Sequence, residues 1–262
     1  MLKTMPQPDF LLRLARDEAD LIAAQRLRYD VFVDELGGDG ALVDHDARLE
    51  RDAFDPHFDH LILFDQARAG CPAVGVYRLL RSDMLSDAPG GVDRFYSEDE
   101  YDLSVLKHSR RRLLELGRSC LHRDYRGGSA MMVMWAGLAD YVDLHQIDIM
   151  FGVASFHGTD IDALKAPLSL LHHRHLAPPE LRVRARPAHY QPMDLMDEDQ
   201  IDRPAAMRAV PALIKAYLRL GGVVGDGAYV DHAFNTTDVC LIMDTKRMSQ
   251  THKAIYAGGR RR

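Results

Sequence analysis

Five short fragments carry the residue types that could do chemistry. Four of them are charged: Arg28-x-x-x-Phe32, Glu50-x-Asp52-x-x-Asp55, Arg78-Leu79 and Glu115-x-x-Arg118. Each taken alone reads as a solvated acid or a surface arginine. Taken as a set, the acids and arginines balance one another only if separate elements bring them together. A carboxylate in such a cluster can take a proton, and arginines can hold its neighbours in place. The fifth fragment is Tyr125-Arg126-Gly127-Gly128-Ser129-Ala130. Glycines at a helix start let an anion approach free backbone amides at the positive end of the helix dipole. Arg123 and Arg126 can add charge-assisted contacts to a phosphate.

These fragments need a scaffold to position them. A strand is expected over 10–14, then a helix capped by Asp17 that carries Leu21, Ala24, Leu27, Val31 and Phe32 as far as Leu36. Glycines 37, 38 and 40 stop it, and a loop rich in aspartate fills 40–57. Strands follow over 60–64 and 74–80, then a turn-rich loop over 82–93. A strand over 113–122 leads through the glycine turn into a helix over 130–144. Next come a strand over 147–155 and a helix over 160–173 that Pro167 should kink. An edge strand follows residue 178, a helix spans 204–220, and strands over 223–230 and 238–243 close the pattern. Alternating strands and helices with short strand-to-strand links indicate a mixed α/β sheet with helices on both faces. Glu115 and Arg118 have opposite parity, so a bulge near Gly117 is needed to turn both to one side of the central strand.

Composition sets the outer limits. The chain has 262 residues with 47% hydrophobic and 27% charged side chains, enough apolar content for a sizeable core. The expected organisation is a single domain, with a core over 10–175, a C-terminal extension over 176–246 and a loose tail over 247–262. A net charge of −6 excludes a global basic field for nucleic acid. No stretch reaches the ~18 apolar residues of a membrane span. Cys71, Cys120 and Cys240 are scattered, which favours free thiols in the cytosol.

The glycine turn resembles the donor-binding loop of the GNAT acyltransferases, although Ser129 and Met131 stand where that motif has small residues. Such a degenerate turn suits the single phosphate of an acyl carrier protein better than the pyrophosphate of coenzyme A. The order and spacing of the four charged fragments resemble the acyl-homoserine-lactone synthases, in which these positions form an ionic cluster. The segments FGVASFHGTD and FNTTDV are similar to the bacterial ornithine-acyl carrier protein N-acyltransferases of ornithine-lipid synthesis, and the likeness runs from about residue 10 to 248. That resemblance implies transfer of a 3-hydroxyacyl chain from acyl carrier protein to the α-amine of L-ornithine, giving lyso-ornithine lipid. It implies Glu115 as the base, with Glu50 second. Arg28, Asp52, Asp55, Arg78 and Arg118 form the ionic, substrate-binding cluster. Cys120, Leu121, His122, Arg123, Arg126, Gly127, Gly128 and Ser129 lie along the donor. No metal and no cofactor is implied, the pantetheine-linked donor being a substrate. A cytoplasmic protein with transient contact at the inner membrane face follows from a lipid product. The alternatives are a lactone synthase using S-adenosylmethionine and a non-catalytic module that binds acyl carrier protein.

Other features read more plainly. Cys120 beside His122 reads as a buried small residue rather than an activated thiol. His172, His173 and His175 suggest zinc, but neighbouring helical histidines point apart and no carboxylate spacing completes a set. Met131, Met134, Trp135 and Leu138 make a core stripe that can also line an acyl tunnel. Arg260 to Arg262 can touch anionic lipid without anchoring the chain.

Overall fold

The computed structural model describes residues 7–232 and 234–247. The expected tail, with Arg260 to Arg262, lies outside the described residues apart from Arg247. In chain order the elements begin with β1 (Phe10–Leu14), α1 (Glu18–Arg28), β2 (Asp59–Asp65), β3 (Ala73–Arg81), β4 (Tyr101–Asp102) and α2 (Ser104–His108). There follow β5 (Leu113–Leu121), α3 (Ala130–His145), β6 (Ile149–His157), α4 (Ile161–His175), β7 (Arg184–Ala185) and β8 (Tyr190–Gln191). The chain ends with α5 (Arg203–Ala209), α6 (Ala212–Arg219), β9 (Val223–Val224), β10 (Ala228–Asp231) and β11 (Thr236–Asp244). Among the described residues two compact units form: 7–80 with 117–145 in the first, 81–116 with 146–232 and 234–247 in the second.

In the first unit the strands run in the order β1-β2-β3-β5, with β1, β2 and β3 antiparallel. Asp17 caps α1 by accepting from the Asp20 amide, as its position predicts. Ala24, Leu27 and Val31 then pack on Ile62, Phe64, Val76 and Cys120, which share one sheet face. The opposite face, with Leu12, Leu61 and Leu63, takes α3. There Gly137 and Gly75 permit close approach: a Cβ on Gly137 would lie 2.1 Å from Leu12 Cδ2, and one on Gly75 2.7 Å from Leu121 Cδ2. Helices therefore cover both faces. Met134 and Leu138 are buried in this packing, while Met131 and Trp135 are half-buried. The expected continuous first helix is instead an α-helix followed by a wider π-helical segment, Tyr29–Glu35, in which Leu36 donates to the Val31 carbonyl at 3.2 Å. The widening keeps Val31 buried, so the apolar pattern does not reveal it.

In the second unit the first half of β5 pairs with β6 in parallel, with Glu115 opposite Phe151. β6 is antiparallel to β11, β11 to β10, and β10 to β8. A Cβ on Gly152 would lie 2.2 Å from the Leu116 carbonyl, so only glycine fits where these strands come closest. The helix expected over 204–220 is two helices. Val210 precedes Pro211 and is driven to extended geometry (φ −63°, ψ 133°), which ends α5. Pro167 lies inside α4 without ending it. The strand expected over 223–230 divides into β9 and β10, and the edge strand expected after 178 reduces to β7 and β8.

β5 has the expected bulge. Arg118 has φ +49° within the strand, a left-handed conformation unusual for a residue with a side chain. A residue in this conformation breaks the regular alternation of side chains along the strand at the place where the bulge is expected.

Candidate active site

Arg28 ends α1, Arg78 lies two residues after Val76 on the α1-covered face of β3, and Arg118 is the bulge residue of β5. The loop between the π-helix and β2 supplies Glu50, Asp52 and Asp55. All six belong to the first unit, and they close into a ring of alternating charge. Arg28 donates from Nε to Glu50 at 2.5 Å and from Nη1 and Nη2 to Asp55 at 2.7 and 2.9 Å. Arg78 Nη1 reaches Asp55 at 2.9 Å and both oxygens of Asp52 at 2.7 and 2.6 Å. Arg118 completes the circuit, from Nε to Glu50 at 3.0 Å and from Nη2 to Asp52 at 3.1 Å.

Arg28 and Arg78 are fully buried, with Asp55 at 3% and Glu50 at 5% exposure. Charges so deeply placed are tolerable because each meets two of opposite sign. The Asp55 carboxyl is held well below the usual carboxylate range: burial pushes it up, but Arg28 and Arg78 pull it down by more. Asp52 is lowered in the same contest between burial and the Arg78 and Arg118 charges. The ring opens toward solvent at one corner, where the Asp52 and Arg118 side chains keep 20% and 18% exposure.

Three supporting residues were not expected. Gln25 donates to Asp55 at 2.9 Å. Its spacing from Arg28, one turn of helix, was the available signal. His60 Nε2 lies 3.0 Å from the Asp55 carbonyl, and burial pushes its imidazole below the usual histidine range. Arg78 stacks over the Phe58 ring at 4.3 Å.

Glu115 belongs to the second unit and is 1% exposed. Its carboxylate accepts from the amides of Tyr96 and Ser97 at 2.9 and 2.6 Å and from the Ser97 hydroxyl at 2.5 Å. The turn at 96–97, for which no role was expected, is therefore fastened to the residue two places before Gly117.

The donor loop forms as the glycines predict. Gly127 has φ +77°, and α3 starts at Ala130 just beyond it. Arg126 makes a bidentate pair with Glu35 at 2.5 and 2.9 Å and donates from Nε to the Leu121 carbonyl at 3.0 Å. It ties the end of the π-helix to the loop. Arg123 is the more exposed cation, at 62%. A shallow cleft of about 220 Å³ beside it is lined by Asp30, Val31, Asp34, Glu35, His122 and Arg123. Leu121 is buried and His122 half-buried, while Gly128 and Ser129 are exposed. The Cys120 side chain is in the core, where burial pushes its thiol up to about 12. It can serve a donor through its backbone alone.

The expectation that no carboxylate joins the histidines of α4 needs correcting. Asp194 comes within 3.3 Å of His173 and 4.0 Å of His172, and the two rings lie 5.3 Å apart. His173 Nε2 also lies 2.9 Å from the Met196 carbonyl. A proton on that nitrogen satisfies both oxygens and removes it as a metal ligand.

Comparison with known proteins agrees with this architecture. A family model described as an acetyltransferase (GNAT) domain matches residues 27–136, the stretch that holds the ring and the donor loop. The L-ornithine N(alpha)-acyltransferase of Rhodobacter capsulatus is 58% identical over 94% of this chain and 93% of its own. The chain belongs to that family. The Brucella abortus member is 43% identical, over 94% of this chain and 88% of its own. Two solved structures share the fold of this acyltransferase at low identity. FeeM, an N-acyl amino acid synthase from uncultured soil microbes, superposes with a TM-score of 0.50 at 11% identity, covering 94% of this chain and 98% of FeeM. BjaI, a CoA-dependent acyl-homoserine lactone synthase, gives 0.53 at 14% identity, covering 96% and 89%. Among the described residues no helix is long and apolar enough to cross a membrane.

Proposed function

We propose that this acyltransferase moves a 3-hydroxyacyl chain from acyl carrier protein to the α-amine of L-ornithine, giving lyso-ornithine lipid. The observation that carries the reading is the 58% identity to an L-ornithine N(alpha)-acyltransferase, sustained over 94% of the chain. The ring and the bulged strand supply a setting in which the chemistry makes sense.

In the reaction the neutral amine attacks the thioester carbonyl carbon, a C–N bond forms, the C–S bond breaks, and the pantetheine sulfur leaves with a proton as the thiol. Free amino groups are mostly protonated near neutral pH, so a proton must first be removed. Glu115 takes that proton in this proposal, directly or through a water, with Glu50 as the second choice. Backbone amides at the β5 bulge steady the tetrahedral oxyanion. Arg28, Arg78, Asp52 and Asp55 hold the loop and the Arg118 guanidinium rigid. The half-buried Asp52–Arg118 corner presents one charge of each sign, complementary to the ammonium and carboxylate of a free amino acid. Arg123, with the amides of Gly127, Gly128 and Ser129, meets the pantetheine phosphate. Cys120 to His122 run beside the arm, and Arg126 positions the loop. The reaction as written needs neither metal nor cofactor. The acyl product is amphiphilic, so the enzyme works in the cytoplasm with transient contact at the inner membrane face.

The test is incubation with 3-hydroxyacyl carrier protein and a panel of free amino acids, with products identified by mass spectrometry. N-acyl ornithine as the dominant product supports the proposal. A lactone formed with S-adenosylmethionine, or binding of acyl carrier protein without turnover, would replace it.

A further inference from the structure

The donor turn is anchored at one residue. From His122 to Ser129 every residue is exposed or half-buried except Tyr125, which is 6% exposed. Short exposed stretches that contain glycine open easily, because they bury little and glycine keeps more backbone freedom than other residues. Backbone amides receive an anion well only when the turn that carries them is already held in place. What holds Tyr125 therefore bears on the amides of Gly127, Gly128 and Ser129.

The Tyr125 hydroxyl donates to Asp65 Oδ2 at 2.7 Å. Asp65 closes the apolar strand β2 and is 2% exposed. Its Oδ1 accepts from the amides of Asp9 and Ala67, each at 3.0 Å, so backbone on two sides fixes the carboxylate. Phe10, opposite Asp65 in the β1–β2 pairing, sets its ring 6.0 Å from that of Tyr125. Arg68, in the turn after β2, lies 5.0 Å over the Tyr125 ring, 3.7 Å from Asp65 and 3.8 Å from Asp124. All these residues belong to the first unit. Burial pushes the Asp65 carboxyl up, but the Tyr125 hydroxyl, the two amides and then Arg68 pull it below its usual range. The Tyr125 hydroxyl is pushed up to about 12 by burial and then by Asp65. Near neutral pH the hydroxyl keeps its proton and the carboxylate its charge, which makes this a strong, charge-assisted hydrogen bond. The other tie to the turn, Arg126 to Glu35, leaves those side chains 42% and 23% exposed, and water competes for it. The buried pair is the firmer of the two.

We propose that Tyr125 and Asp65 are positioning residues for the acyl donor: their hydrogen bond fixes the turn whose amides, with Arg123, meet the pantetheine phosphate. The assignment rests on the N-acyltransferase reading and on the donor's place at that turn. Both residues act through the turn and not on the reacting atoms.

The test is Tyr125→Phe, which deletes the hydroxyl and keeps the ring between Phe10 and Arg68. With 3-hydroxyacyl carrier protein and L-ornithine each varied in turn, the KM for the carrier protein should rise roughly 5- to 30-fold, while the KM for ornithine stays within about twofold of wild type. A bond that serves folding alone would lower the urea midpoint and leave both KM values as they were; that result overturns the assignment, and so does an equal rise in both. Should Tyr125→Phe fail to fold, Asp65→Asn decides, since its amide can still donate to the Tyr125 hydroxyl but without the charge. A higher KM for the carrier protein alone supports the assignment, and values unchanged or equally raised overturn it. Wild-type protein that forms no N-acyl ornithine overturns the N-acyltransferase reading itself, an outcome distinct from an active wild type whose donor KM is indifferent to Tyr125.

Discussion

Replacing Arg28 by methionine removes a fully buried link of the ring while keeping a long side chain in place. Arg28 is wholly buried and makes four hydrogen bonds, two to the Asp55 carboxylate and two to Glu50, one of these to its carbonyl at 2.6 Å. Without it Asp55 keeps Arg78 and Gln25, and Glu50 keeps Arg118, so neither acid is stranded but the ring carries an uncompensated negative charge. Breaking a buried ion pair from one side costs about 3–5 kcal/mol. The remaining partners place Arg28→Met near the lower end, about 3 kcal/mol, a large share of the ~5–15 kcal/mol that holds a typical domain together. Trp135 is the sole tryptophan and lies in the same unit as the ring, so its fluorescence during urea unfolding reports on that unit. The melting temperature should drop by about 6–12 °C. The effect also depends on pH. The folded-state pKa of Asp55 is depressed, so its stabilising contribution is full above the unfolded value near pH 4 and fades as pH falls below that. The penalty of Arg28→Met should accordingly shrink on acidification below pH 4. A loss under about 1 kcal/mol at pH 7, or a gain in stability, would refute the closed ring as a structural device.

Three further outcomes follow from the same geometry. Glu115→Gln puts an amide where three donors converge, so kcat should fall by at least about tenfold and its dependence on pH should change; equal rates at every pH would remove Glu115 from the chemistry. Gly152→Ala drives a Cβ to 2.2 Å from the Leu116 carbonyl, which should cost about 1–3 kcal/mol in a denaturant titration and lower kcat by displacing β5 beside its bulge. Cys120, buried and with its thiol raised to about 12, should resist iodoacetamide in the native protein at pH 7.5 and react after unfolding; rapid alkylation of the folded chain would reopen covalent catalysis.

The ring was legible before any coordinates because the order and spacing of its four charged fragments resemble those of the lactone synthases, whereas each fragment alone reads as a solvated charge. A bulge near Gly117 was expected from the opposite parity of Glu115 and Arg118, and the left-handed Arg118 falls there. Other features leave weaker traces. The π-helical segment preserves the apolar spacing of the α-helix it extends. The pairing of Tyr101–Asp102 with Arg184–Ala185 is too short to show a period. The partners of Glu115 are mostly backbone amides, which no side-chain pattern announces. Asp194 reaches His172 and His173 from a separate segment, by tertiary folding that spacing along one helix does not encode. Pro211, by contrast, did carry the signal that splits α5 from α6.

The most direct test presents the purified protein with L-ornithine and the same 3-hydroxyacyl chain on acyl carrier protein or on coenzyme A, following free thiol and the mass of the product together. The account predicts thiol release that depends on ornithine, fastest from the carrier protein, with one α-N-linked amide formed per thiol. Thiol release without ornithine, or acylation at the side-chain nitrogen alone, would contradict it.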